Sequence, residues 1–172
     1  MSGRILVVDD DADMSKELGR ALGKRGFDVT TRTSADEAYT LLQGESFDAV
    51  VTDLNMKGMN GIELCDRVVQ SHPRTPVIVV TGFGSMETAI ATLRAGAFDF
   101  LTKPFSPDQL ALSLERALKQ SRLEEEVRRL RQDRDSREGF EGFVGESAPM
   151  QRIFDLVARV APTDATVRVQ TH

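Results

Sequence analysis

Four polar groups each close a short apolar run: Asp9, Asp10 and Asp11 after ILVV, Asp53 with Asn55 after AVVT, Thr81 after VIVV, and Thr102 with Lys103 after FDFL. Carboxylates gathered in one place repel one another unless a cation neutralises them. A hard, oxygen-rich set suits magnesium, which takes one or two carboxylates and keeps waters for phosphate oxygens. A carboxylate beside such an ion can attack a phosphoryl group and form an aspartyl phosphate. A lysine offers compact positive charge to phosphoryl oxygens, and a threonine hydroxyl offers a reorientable hydrogen bond. Together these residue types make a complete phosphoryl-accepting set. Singly they have plainer uses: acids at 9–13 cap a helix, an Asp at a strand end makes a turn, and Lys103 before Pro104 is a loop lysine.

What unites them is the pattern of elements that must hold them. Apolar, β-branched runs at Ile5–Val8, Val29–Thr31, Ala49–Thr52, Val77–Val80 and Phe98–Leu101 alternate with segments of helical spacing. Ser34 stands three residues before Glu37, and Ser106 three before Gln109 with Pro107 between, so both pairs predict capping boxes that open helices. ILVV and VIVV are apolar on both faces, as strands of a parallel sheet covered on each side by helices are. The expected fold class is therefore α/β, a doubly wound five-stranded parallel sheet of about 120 residues. In such sheets the ligand site lies beyond the C-terminal strand ends. All four polar groups fall there, which makes independent coincidence the weaker account.

Bulk properties exclude several classes. The chain has 172 residues, 40% hydrophobic and 28% charged, enough for one domain with extensions. No apolar run approaches the roughly 20 residues that cross a bilayer, and MSGRILVVDD is not a secretory signal. A formal charge of −5 argues against binding nucleic acid through its backbone. The single cysteine, Cys65, excludes an intramolecular disulfide framework, fits a reducing cytoplasm, and reads as a buried small hydrophobe. His72 and His172 form no metal site with anything visible, and Gly82-Phe83-Gly84 lacks the third glycine of a dinucleotide fingerprint.

The segments VVDDD at 7–11, TDLNM at 52–56, TGFGS at 81–85 and FLTKPF at 100–105 closely resemble the receiver domain of two-component response regulators, over residues 3 to 119. The resemblance implies a flavodoxin-like receiver fold with Asp53 as phosphoacceptor for a sensor histidine kinase. It implies magnesium held by Asp9, Asp10, Asp53 and the backbone carbonyl of Asn55. It implies that Lys103 binds the phosphoryl group, that Thr81 moves toward it on activation, and that Phe100 turns inward as the threonine shifts. Where the family usually has proline after the methionine of the third-strand loop, Met56 is followed by Lys57. Proline would stiffen that loop; lysine leaves it more mobile and adds positive charge near Asp53. The class set against this reading is a magnesium-dependent phosphotransferase of the haloacid-dehalogenase type. That chemistry needs a second Asp two residues after the nucleophile, and Asn55 cannot transfer protons. The expectation is thus a switch and not an enzyme, with at most self-catalysed phosphorylation and dephosphorylation.

Residues 107 to 138 mix acids and bases with no glycine or proline after Pro107, which predicts one long helix. Leu110, Leu114 and Leu118 form a face for the sheet, while Leu123, Val127 and Leu130 make a single heptad of seam. A homodimer through the fourth helix, the fifth helix and the linker is expected. Further on, GESAPM, the helical spacing of Ile153, Leu156, Val157 and Val160, and APTDATV resemble the opening of the AAA+ ATPase domain in nitrogen-regulatory-protein-C-type activators, which work with sigma-54 RNA polymerase. The chain departs from that pattern at Arg168, within VRVQTH, and no P-loop occurs. The expected organisation is a receiver at 1–119, a helical linker at 120–139, and at 140–172 an N-terminal AAA+ fragment that is disordered or forms one docked helix. The chain is read as a truncated activator, cytoplasmic, making no nucleic-acid contact of its own.

Overall fold

The computed structural model describes residues 3–82 and 84–141, with side chains described as far as 132. Five strands, β1 (Arg4–Val8), β2 (Asp28–Arg32), β3 (Ala49–Asp53), β4 (Val77–Thr81) and β5 (Asp99–Thr102), form one sheet in the order β2-β1-β3-β4-β5. Every adjacent pair is parallel, with Leu6 opposite Val50, Asp53 opposite Val80 and Thr81 opposite Thr102. Between them lie α1 (Ala12–Gly23), α2 (Ala35–Gly44), α3 (Gly61–Ser71) and α4 (Met86–Arg94), and α5 (Pro107–Glu141) follows. This is the doubly wound α/β arrangement, with its strand order reversing between β1 and β3.

The period-two geometry of a strand sends alternate residues to opposite faces, and both faces are apolar here. Ile5, Val7, Ala49, Val51, Ile78 and Val80 meet Leu18 and Leu22 of α1 and Leu110, Leu114 and Leu118 of α5. Leu6, Val8, Val50, Val77 and Val79 meet Ala38 and Leu42 of α2 and Leu64, Cys65 and Val68 of α3. The central strands β3 and β4 are buried throughout, which is why their sequences show no polar alternation. The predicted face Leu110, Leu114, Leu118 is the one buried, and Cys65 is fully buried.

Helix starts follow side-chain caps. Ser106 and Gln109 form the predicted reciprocal box, each side chain bonding the other's backbone N–H. Ser34 accepts from the Glu37 N–H at 3.5 Å, one half of the box predicted there. A full box that the sequence reading passed over joins Asn60 and Glu63 at the start of α3. Helix α4 differs from the rest: its one buried residue is Thr92, whose hydroxyl bonds back to the Thr88 carbonyl, while Met86, Ile90 and Leu93 are exposed. Along α5, Leu112, Leu123, Val127 and Leu130 are also exposed.

The chain divides into two compact units, Met1–Glu124 and Glu125–His172, with the division falling inside α5. Of the AAA+ fragment expected at 140–172, residues 140 and 141 end α5 and the rest lies outside the described residues. No described helix is long and apolar enough to cross a membrane.

Candidate functional site

Strand termini build the site. The last residue of β3 is Asp53, the last of β4 is Thr81, and Asp9 and Lys103 directly follow β1 and β5. Parallel pairing aligns these ends at one edge of the sheet, beside the reversal of strand order, where ligands of such folds bind. Asp53 thus sits one residue further inside its strand than the apolar run alone predicts.

The ammonium of Lys103 lies between two carboxylates, 2.9 Å from Asp9 Oδ2 and 2.7 Å from Asp53 Oδ1. Both acids are almost completely buried, at 2% and 5% exposure. The other oxygen of each is held by backbone: the Asp11 N–H donates to Asp9 Oδ1 at 2.9 Å, and the Asn55 N–H to Asp53 Oδ2 at 2.8 Å. Asn55 also points its amide Nδ2 at the Thr81 hydroxyl, 3.4 Å away. Thr81 is fully buried, and its carbonyl accepts the Lys103 N–H at 2.7 Å, so β4 fixes the lysine's backbone. The Lys103–Pro104 peptide bond is cis.

One cation shared by two buried acids has a defined electrostatic outcome. Lys103 holds its proton more tightly than a free lysine, because two carboxylates outweigh its own desolvation. Asp53 is pushed above its ordinary value, first by burial and then by the neighbouring charge of Asp9, which together exceed what half a partner and one N–H return.

Of the residues singled out by the sequence, Asp9, Asp53 and Lys103 touch directly, and Asn55 and Thr81 adjoin them. Asp10 is exposed at the rim, and Asp11 serves the first helix by accepting from the Asp13 and Met14 N–H groups. Phe100 is half-buried against the core on the α2 and α3 side. Lys57 is exposed in the loop after β3, next to Gly58, which turns with φ 78°. Two contacts had no sequence signal: the Thr52 hydroxyl donates to the Asp53 carbonyl at 3.0 Å, and Ser15 approaches the Asp9 carbonyl at 3.5 Å. Thr52 reads only as a β-branched strand residue, and Ser15 only as a small helical one.

Among the described residues no three His, Cys, Asp or Glu are gathered into a ready-made metal site. The donors present nevertheless fit a hard divalent cation. They are all oxygens, they carry more negative charge than Lys103 offsets, and a magnesium-type ion needs few protein ligands because it retains water.

Buried acids sharing one lysine at the switch point of a five-stranded parallel sheet are the layout of a receiver domain. The chain belongs to the response regulator receiver domain family, which it matches over residues 5–115. It is similar to the nitrogen assimilation regulatory protein NtrX of Azorhizobium caulinodans, 34% identical over 98% of this chain and 37% of that protein. Among solved structures, NtrX from Brucella abortus superposes with a TM-score of 0.72 at 36% identity, covering 95% of this chain and 36% of that one. The beryllofluoride-activated NtrC4 receiver domain dimer superposes at 0.66 with 32% identity, covering 69% of this chain and 98% of that one. The chain spans little more than a third of the curated NtrX protein, at 37% of its length.

Proposed function

We propose that the chain is the phosphorylation-dependent switch of a two-component system, accepting a phosphoryl group on Asp53 from a sensor histidine kinase. The observation that carries this reading is the Lys103 ammonium lying 2.7 Å from one buried carboxylate and 2.9 Å from another. The same ammonium can follow the phosphoryl oxygens once Asp53 is modified, because its stem is flexible and it donates three hydrogen bonds. Asp9, Asp10, Asp53 and the Asn55 carbonyl would hold magnesium, which supplies positive charge to the transferring group. Asp53 provides the attacking oxygen, and the donor's bond to phosphorus breaks as the aspartyl phosphate forms. Thr81, buried at the adjacent strand end, turns its hydroxyl from Asn55 to the new oxygens. Phe100 then follows as a packing event, since phenylalanine has no hydroxyl to bond.

The output is a change in self-association. Met86, Ile90 and Leu93 lie at helical spacing on α4, at 77%, 43% and 54% exposure, and Leu123, Val127 and Leu130 repeat along α5. Apolar surface at such spacing fits a second copy of the chain. In a longer parent protein this would govern a sigma-54 activator ATPase, with the whole cytoplasmic. The Asn55 amide cannot relay protons, so turnover of a metabolite by haloacid-dehalogenase chemistry is not proposed.

Incubation with magnesium and phosphoramidate tests the phosphoacceptor: a gain of one phosphoryl group is expected, mapped to the peptide containing Asp53. A protein that gains no mass, or gains it elsewhere, would sink the reading. Sedimentation with and without beryllofluoride and magnesium tests the output, and an unchanged mass and shape would remove the dimer. Lys57→Pro is expected to slow decay of the aspartyl phosphate several-fold, because a stiffer loop without the extra charge admits water less readily. Equal decay rates would show that position 57 does not set the lifetime.

A further inference from the structure

We propose that Gly61 and Thr52 clamp the Asp53 backbone carbonyl from two sides, and that this clamp positions both the phosphoacceptor and the adjacent Asn55. The inference rests on the reading of Asp53 as phosphoacceptor and adds two positioning residues to it.

One jaw is the Thr52 hydroxyl, fully buried and 3.0 Å from the Asp53 carbonyl oxygen to which it donates. The other is the bare Cα of Gly61, first residue of α3. A Cβ placed there would overlap the Asp53 carbonyl oxygen, lie 2.9 Å from Leu54 Cα and lie 3.0 Å from the Asp53 carbonyl carbon. All three are backbone atoms, so no side chain can rotate away to make room. The φ of Gly61 is not in the left-handed region, so glycine is required here by close approach and not by backbone conformation. The Gly61 N–H donates to the Leu54 carbonyl at 3.0 Å, which closes the neck of the loop running from 54 to 60.

Neither the loop nor the helix can back away. Met56 and Met59 are buried in the core, Leu54 N–H is bonded to the Val80 carbonyl, and Asn60 and Glu63 lock the start of α3. One turn further on, Leu64, Cys65 and Val68 are fully buried. Strain from a side chain at 61 therefore falls on the backbone it meets, the Asp53–Leu54 peptide, and passes to Asn55, the exposed residue that follows. A shift there moves the carboxylate relative to Lys103 and turns the Asn55 carbonyl, the two things the proposed chemistry needs fixed.

The test compares Gly61→Ala with Leu64→Ala, a control in the same helix that loses core packing without placing a new atom against the Asp53 backbone. Each is melted, titrated with magnesium alone by calorimetry, and assayed for phosphoryl transfer from phosphoramidate, in which the P–N bond breaks, an Asp53 oxygen–phosphorus bond forms and ammonia leaves. Gly61→Ala is expected to bind magnesium more weakly and to transfer about 100-fold more slowly, the scale of an ångström misplacement. Leu64→Ala should melt earlier yet keep the parent's magnesium affinity and rate while folded. A folded Gly61→Ala that matches the control in affinity and rate overturns the clamp. Should Gly61→Ala not fold, Thr52→Val decides: it keeps the shape of the strand and removes one jaw. Weakened magnesium binding with an unchanged melt supports the clamp, and parental affinity and rate overturn it. If the parent takes no phosphoryl group on Asp53, the functional reading fails and the clamp with it; a modified parent with unaffected variants overturns the clamp alone.

Discussion

Replacing Lys103 with methionine is expected to destabilise the metal-free protein by about 3 kcal/mol at neutral pH, the lower end of what breaking a buried ion pair costs. Methionine keeps most of the apolar stem, so the loss comes from charge. Without the ammonium, Asp9 and Asp53 face each other nearly buried, and nothing in the site replaces the bonds at 2.9 and 2.7 Å. Lys103 is itself 23% exposed, so water reaches the gap and holds the effect at the lower end. Acidification should restore part of the loss, because a protonated carboxyl needs no cation. A double variant, Lys103→Met with Asp53→Asn, should be more stable than Lys103→Met alone. Chemical denaturation at two pH values checks all of this; equal stability of Lys103→Met and parent would mean that the two acids are solvated and the bridge is weak. Phosphoryl transfer in Lys103→Met should fall about 100-fold or more, as when one preorganised donor to a developing charge is removed.

Asp53→Asn carries the second large effect, and its two consequences have opposite signs. Phosphoryl acceptance is expected to disappear, since an amide offers no nucleophilic oxygen. Metal-free stability is expected to rise. Asp53 in the folded chain holds its proton more tightly than the ordinary carboxyl at 3.8, so above that value the folded state binds more protons than the unfolded one. Stability contributed by this group therefore falls as pH rises from 3.8 through the raised folded value. Asparagine removes the titration, so the variant should gain stability over the parent near neutrality, and that gain should shrink as pH falls towards 3.8. Lys103 works in the other direction at the alkaline end. Its contribution is complete below 10.5 and is lost only as pH passes its raised folded value. Thermal melts of both proteins in chelator across the acid range provide the measurement. A variant less stable than the parent at neutral pH would show that Asp53 is stabilised by its partners more than it is penalised by burial. Added magnesium should then stabilise the parent more than the variant, through preferential binding to the folded state.

Much of this site could be read from residue order because each key group follows a run with a simple physical signature. Apolar strands buried on both faces announce themselves without alternation, and the fold then dictates that whatever follows them shares one edge. Asp9, Asp53, Thr81 and Lys103 were legible for that reason. Contacts set by tertiary approach were not. Thr52 looks like any β-branched strand residue until its hydroxyl is found on the Asp53 carbonyl. Gly61 looks like a loop glycine until the backbone opposite it is seen. Of three consecutive acids, Asp9 enters the ion-pair network, Asp10 stays at the rim and Asp11 caps α1, a division of labour that no composition encodes.

Helix α4 would give the proposed switch its energetic character. A helix that buries only Thr92 contributes little to global stability, so the free energy of loosening it is set locally and not by the unfolding of the sheet. Loosened forms of such an element lie closer in free energy to the packed form than the unfolded sheet does. A small rearrangement at Thr81 then has only to reweight them, whereas moving α3 or α5 by the same distance would mean opening a close-packed core.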